Sequence, residues 1–238
     1  MSPETVVLGL VWYVVFMLAI TCHEGAHAWV AKLGGDPTAF HAGQVTLNPV
    51  PHIVREPFGT VIVPILSFAL GGWMIGWASA PYDPFWAERH PRRAGLMALA
   101  GPAANLVLVL IAAAAIRGGL ALGYFIPPEY IRLGTIAQVV VSAEPGVWAA
   151  VATMLSIMFT LNLLLFLFNL LPVPPLDGAS AVTLLMSEET GRRFRDFTQS
   201  WGMIGLLLAW VLFGRIFWPL FVAAVNVLYF PLSGYGNG

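Results

Sequence analysis

Charged residues are so sparse along this chain that the gaps between them define its organisation. Four stretches carry no charge at all, Thr5 to Cys22, Pro57 to Ala78, Ala94 to Ile116 and Pro145 to Leu176, and a C-terminal stretch from Phe197 is interrupted only by Arg215. A membrane span takes about 20 apolar residues, so all five are candidates to cross a bilayer. The first helix is expected to run past Cys22 to Leu33, where Gly34 and Gly35 stop it. In the second stretch, Pro64 and the pair Gly71-Gly72 permit a broken segment that enters and returns on one side. Pro172, Pro174 and Pro175 end the helix of the fourth, and Arg215 is expected to mark a break between two short helices, its side chain reaching for the surface. Between the first two stretches, Phe40 to Leu47 has a weak strand character closed by Asn48 and Pro49, which predicts a small membrane-associated β ribbon.

Composition sharpens this pattern into a fold class. The 238 residues are 58% hydrophobic and 10% charged, with a mean hydropathy of +0.80, outside the range of soluble domains. The chain reads as an all-α polytopic membrane protein: a transmembrane helix bundle with a re-entrant segment and the small ribbon. The longest polar connections, about 30 residues, are too short for a second core. One domain over residues 1–238 is therefore expected, with a core at 6–186 and a C-terminal helical segment at 197–230. A net charge of −1 offers no basic face for nucleic acid, and the single Cys22 excludes an internal disulfide framework. The N-terminal MSPETVV lacks the positive flank and cleavage site of a signal peptide, so the first apolar run is expected to belong to the mature chain.

Against this background the stretch TCHEGAHAWVAK, residues 21–32, stands out. His23 and His27 are four apart, one turn of one helix face, so both reach a single ion. Glu24 lies between them. In this H-E-x-x-H arrangement two imidazoles bind zinc and the glutamate, which is no ligand, takes a proton from water. The bland reading is a helix end whose histidines meet lipid headgroups; ionisable groups within a membrane segment are costly and functional by default. Cys22 points about 100 degrees away and reads as a buried thiol. Catalytic zinc takes a third protein ligand, and the remaining candidates are His41, His52, His90 and a few carboxylates. Asp177 is prominent among them, because the prolines before it leave a carboxylate against Gly178 at membrane depth; an N-cap just outside the bilayer is the competing reading.

HEGAH near the start, GPAAN at 101–105 and NLLPVPPLDG at 169–178 together resemble the three signature elements of the site-2 protease family of intramembrane zinc metalloproteases. The resemblance covers about Val6 to Met186 and is similar to the compact prokaryotic type without PDZ or CBS domains. It implies that His23, His27 and Asp177 hold one Zn2+, that Glu24 is the general base, and that Asn169 holds substrate or the developing oxyanion. It also implies a transmembrane protein substrate, a lipid bilayer as surroundings, and a prokaryotic plasma membrane. GQVTLNPVPHI resembles compact members as well, but VREP follows where they carry an aspartate and a proline, so Glu56 inherits no role. Gly101, Pro102 and Asn105 read either as site lining or as helix packing. His52 reads as a polar cap of the ribbon, and Tyr82, Phe85 and Trp86 beside Arg89, Arg92 and Arg93 as an interfacial anchor.

Topology can be tested without the resemblance. If every stretch up to Leu176 crosses fully, His23 and Asp177 fall on opposite faces and no shared metal is possible. If Pro57 to Ala78 is re-entrant, they share a face, and Lys32, Arg55, Arg89, Arg92, Arg93, Arg192, Arg193 and Arg195 lie on it, with Arg117 and Arg132 opposite: eight against two, where full crossing gives four against six. Positive charge in short loops favours the cytoplasm. The re-entrant arrangement therefore puts the site near the cytoplasmic leaflet and the N-terminus outside. Two other function classes compete: a membrane zinc-binding or transport protein, which has no need of Glu24, and an inactive protease-like scaffold.

Overall fold

The computed structural model of the chain describes residues 2–131, 137–199 and 202–231, and helices dominate it. Helix α1 (Pro3–Leu33) starts where the Ser2 hydroxyl accepts from the Thr5 N–H and stops at Gly34, as the paired glycines predict. Its 31 residues span about 46 Å, more than the roughly 30 Å of a hydrocarbon core, so the His23–His27 segment in its last third lies toward one membrane face. The one-turn α2 (Thr38–His41) and α3 (Pro49–Arg55) follow.

A π-helical turn, Phe58–Ile62, then leads into α4 (Val63–Gly71), and this segment meets α3 at 113°. Gly72, with φ at 74°, reverses the chain. The return runs back along the way in. Ile75 N–H donates to Ser67 Oγ (2.9 Å), and Trp77 N–H donates to the Gly59 carbonyl (3.1 Å). At the base Arg55 Nε donates to the Ser79 carbonyl (2.9 Å), while Ser79 Oγ donates to the Glu56 carboxylate (2.7 Å). Entry and exit lie side by side, the geometry of a re-entrant segment.

Helices α5 (Pro84–Arg89) and α6 (Pro91–Ala121) come next, then an antiparallel ribbon of β1 (Phe125–Ile126) and β2 (Val141–Ser142), and α7 (Val147–Asn169). The chain closes with α8 (Asp177–Ala181), a 3-10 turn at Val182–Leu185, α9 (Glu188–Gln199) and α10 (Gly202–Tyr229). Among the described residues α1, α6, α7 and α10 are long and apolar enough to cross a membrane. The first three pack around a core that includes Phe16, Ile20, Leu108, Ala112, Ile157 and Phe159. Contacts along α1 climb from Ala19 to His27 as those on α6 descend from Asn105 to Met97, so the two helices are antiparallel. After the ribbon α7 returns, and it ends at the same face as α1. This places the residues after Asn169 level with the histidines.

Four local expectations are corrected. Phe40 to Leu47 forms no strand: the Asp36 carboxylate accepts from the Thr38 N–H and winds the chain into α2, Gly43 (φ 71°) turns it, and Asn48 caps α3. The ribbon of the described residues lies instead between α6 and α7. His52 caps no ribbon; it is buried in α3 with Nε2 donating to the Thr46 carbonyl at 3.4 Å. Arg215 breaks nothing, since α10 runs through it without interruption and leaves its side chain exposed: a charge is no helix breaker when it can point outward. Trp86 is no anchor either, being buried with its indole N–H donated to the Gly34 carbonyl (3.1 Å), whereas Phe85 and Tyr82 are exposed. Residues 197–199 of the C-terminal segment are the last of α9, and α10 is described from Gly202. Arg132 lies outside the described residues.

Candidate metal centre

His23 and His27 face α6 from one side of α1, and with Glu24 they are buried, at 6–7% exposure. Asp177 reaches them from the first position of α8. The proline-rich turn after α7 brings it there, and Gly178 permits the approach, since a Cβ at that position would sit 2.3 Å from the Leu170 carbonyl oxygen. His23 Nε2 and His27 Nε2 are 3.0 Å apart, and Asp177 Oδ2 lies 3.1 and 3.3 Å from them. All three donor atoms fall within 4.8 Å of one another.

The fit to a metal ion can be judged from the protons. His27 Nδ1 faces the Met97 carbonyl at 2.7 Å, which only accepts, so that nitrogen donates. His23 Nδ1 faces Asn105 Oδ1 at 2.6 Å. With protons on both Nδ1 atoms, both neutral imidazoles present bare Nε2 lone pairs toward a carboxylate oxygen that is itself buried without a hydrogen-bond donor. Three lone pairs converging at this range repel unless a cation lies among them. Gly101 of α6 completes the cradle: a Cβ there would stand 2.3 Å from His27 Nε2 and 2.5 Å from His23 Nε2. Two neutral imidazoles and one carboxylate form a donor set that suits zinc, with a fourth coordination position left over.

Glu24 shares the buried turn with both histidines. Asn169 ends α7, half-buried, one of its two N–H groups donated to the Leu165 carbonyl (3.0 Å). Cys22 (half-buried), His41, His52 and His90 are not part of the three-donor cluster. Of Gly101, Pro102 and Asn105, read from the sequence as site lining or helix packing, Gly101 and Asn105 lie against the imidazoles. One feature escapes a sequence reading: Asn162 of α7 accepts from Asn105 Nδ2 at 2.8 Å behind them. The available signal was a polar amide two turns before Asn169 on one helix face of a charge-free stretch.

Comparison with known proteins agrees with this geometry. The model of peptidase family M50 matches residues 11–212. A Bacillus subtilis (strain 168) protein named "Putative zinc metalloprotease YwhC" is 34% identical over 219 residues, covering 90% of this chain and 87% of its own. "Putative zinc metalloprotease Rip2" of Mycolicibacterium smegmatis is 30% identical over 192 residues, 79% of this chain and 62% of its own. Its Mycobacterium tuberculosis (H37Rv) namesake is 28% identical over 218 residues, 89% and 73% of the two chains. No solved structure matches the chain significantly. A family model spanning most of the sequence and a relative alike over nearly its full length thus meet a three-donor cluster built on H-E-x-x-H: the chain belongs to peptidase family M50, the site-2 metalloproteases.

Proposed function

We propose that the chain is an intramembrane zinc endopeptidase that hydrolyses a peptide bond within or near a transmembrane segment of a membrane-protein substrate. In this reading one Zn2+ is held by His23 Nε2, His27 Nε2 and Asp177 Oδ2. The observation that carries it is the convergence of these donors at the end of a membrane-length helix, beside a buried glutamate. When bound, zinc supplies a Lewis acid that polarises the scissile carbonyl and acidifies the attacking water.

The remaining chemistry belongs to the chain. Glu24 accepts the proton of the attacking water and passes it to the leaving amine. Asn169, on the α7 face that also carries Asn162 and about 10 Å further along, gives its second N–H to the substrate or to the developing oxyanion. A helical substrate hides its carbonyls in its own hydrogen bonds and has to unwind locally before attack. Residues 1–238 act as one unit. Lys32, Arg55, Arg89, Arg92 and Arg93 belong to the end where the donors meet, which supports a cell-membrane protein with its site near the cytoplasmic leaflet and its N-terminus outside.

The test is zinc content of detergent-purified wild type, Glu24→Gln and Asp177→Ala, alongside cleavage of a generic transmembrane reporter. Wild type and Glu24→Gln are expected to hold one zinc, Asp177→Ala to lose it, and only wild type to cleave. Full zinc and activity in Asp177→Ala would remove the ligand set. Undiminished function in Glu24→Gln would favour a zinc carrier over a protease.

A further inference from the structure

Of the two imidazoles, only one has a protein partner whose polarity is fixed by its own nature. His27 Nδ1 meets a backbone carbonyl, but His23 Nδ1 meets a side-chain amide, which presents nearly the same shape with its oxygen and nitrogen exchanged. A flipped Asn105 would aim an N–H at Nδ1, force that nitrogen to accept, and move the ring proton to Nε2, where the ion has to bind. Something has to keep Asn105 the right way round.

We infer that Asn162 of α7 does so, acting through Asn105 as a positioning residue for His23; the inference rests on the proposed role of His23 as a zinc ligand. The relay starts from a group without choice. The Met158 carbonyl only accepts, so the Asn162 amide turns its NH2 toward it (2.8 Å) and leaves Oδ1 facing Asn105. Asn105 Nδ2 donates to that oxygen at 2.8 Å, and to the Ala19 carbonyl at a longer 3.4 Å. Asn105 Oδ1 is thereby turned to His23 Nδ1 at 2.6 Å, and Nε2 keeps its lone pair for the metal.

Burial makes this order binding. Asn105 and Asn162 are 0% and 1% exposed, so water supplies no substitute partners and a wrongly turned amide would set like groups against each other in an apolar core. The relay crosses three helices, from the backbone of α7 through α6 to α1. It gives polar side chains in charge-free stretches a task that packing alone does not require. Partners one step behind a metal ligand commonly change affinity by roughly 10–100-fold when lost.

A double-mutant cycle on the full chain in detergent tests it, with Zn2+ affinity read by competition with a chromophoric chelator and site geometry by the visible spectrum of the Co2+ form. Asn162→Leu is expected to weaken zinc by about 10–100-fold and to shift the Co2+ bands. Asn105→Asp sets a carboxylate oxygen against Asn162 Oδ1 and is expected to weaken zinc on its own account, but the carboxylate accepts from His23 Nδ1 either way round. In that background Asn162→Leu is expected to cost nothing further, since no amide remains to be oriented. Equal losses in both backgrounds would make Asn162 a packing residue and overturn the relay; so would wild-type affinity in the Asn162→Leu single variant. His27→Ala, measured alongside, separates the two readings: if it keeps the zinc of wild type, the ligand assignment itself is wrong. A variant-free measurement covers poor folding of Asn162→Leu. In the zinc-free wild type the 15N shifts of the His23 ring are expected to show a protonated Nδ1, and a bare Nδ1 with the proton on Nε2 alone would overturn the relay.

Discussion

Gly101 limits how near α6 comes to the imidazoles, and its own side chain is the smallest available. A methyl group there would overlap both Nε2 atoms, in the space where the ion belongs. Gly101→Ala is expected to bring zinc occupancy below about a tenth of wild type, with overpacking adding about 1–3 kcal/mol of destabilisation. Metal analysis beside a thermal melt checks this; a lowered melt with full zinc would mean that the rings move aside together with the ion. Glu24→Gln is expected to separate binding from chemistry differently, keeping zinc while turnover falls by roughly 100- to 10,000-fold, the span typical of a lost general base. Both predictions concern groups the sequence makes visible to different degrees. The spacing of His23, Glu24 and His27 is local, one turn of one helix, and a reader of the sequence sees it at once. Asp177 betrays itself as a carboxylate behind three prolines. Asn162 gives no such sign, because its partner Asn105 is 57 residues away and a single long-range hydrogen bond leaves no periodicity.

At the scale of elements, apolar runs and glycine stops carried most of the information. They located α1, α6, α7 and the broken segment around α4, since membrane-length helices are written in composition. Short polar connections depend on single hydrogen bonds, and there the reading failed. Phe40 to Leu47 looks extended by residue type, yet Asp36 decides the outcome from outside that window. Its Oδ1 accepts from the Thr38 N–H (2.9 Å) and hydroxyl (2.5 Å), and its Oδ2 from the Asp83 N–H (2.8 Å), tying the end of α1 to the starts of α2 and α5. Burial pushes this carboxyl upward, but the hydroxyl and the two N–H groups outweigh burial and hold it below the ordinary carboxylate range. A folded pKa below the unfolded one stabilises the chain fully above about pH 4 and loses its effect as pH falls through the lowered value. Asp36→Asn sets an amide NH2 against the Asp83 N–H. It is expected to cost about 1–2 kcal/mol near neutral pH and to flatten the acid side of the stability profile, as melting temperatures from pH 3 to pH 7 would reveal. The base of the re-entrant segment depends on a comparable bond. Ser79→Ala leaves the half-buried Glu56 carboxylate without its hydroxyl donor and is expected to destabilise the protein by about 0.5–1.5 kcal/mol in the same melts.

For the whole molecule, the three-donor cluster comes together only because one apolar stretch does not cross. Helices α1 and α7 are separated by the Phe58–Ser79 excursion and by α6; if both crossed, the donors would be on opposite faces. The bonds from Arg55 to the Ser79 carbonyl and from Ser79 to Glu56 bring the excursion back to its starting point, leaving α6 as the single crossing between the histidines and α7. Arg117 at the other end of α6 donates to the carbonyls of Leu228 and Phe230, so α10 finishes on the ribbon side. This arrangement makes a prediction that needs neither metal nor activity. With Cys22 replaced by Ala, single cysteines at the exposed positions Pro37, Glu88 and Ser187 are expected to react with a membrane-impermeant thiol reagent from one side of sealed vesicles, and cysteines at Leu122 and Glu144 from the other. Full crossing groups Pro37 with Leu122 and Glu144 against Glu88 and Ser187, so the two topologies disagree at four of these five sites once Pro37 fixes the side. Inverted vesicles expose the cytoplasmic face, and under the proposed orientation, with the basic residues around Arg89 to Arg93 on that face, Pro37, Glu88 and Ser187 are expected to react there. Labelling of Glu88 from the side opposite Pro37 would dismantle the re-entrant segment and, with it, any single ion shared by α1 and α8.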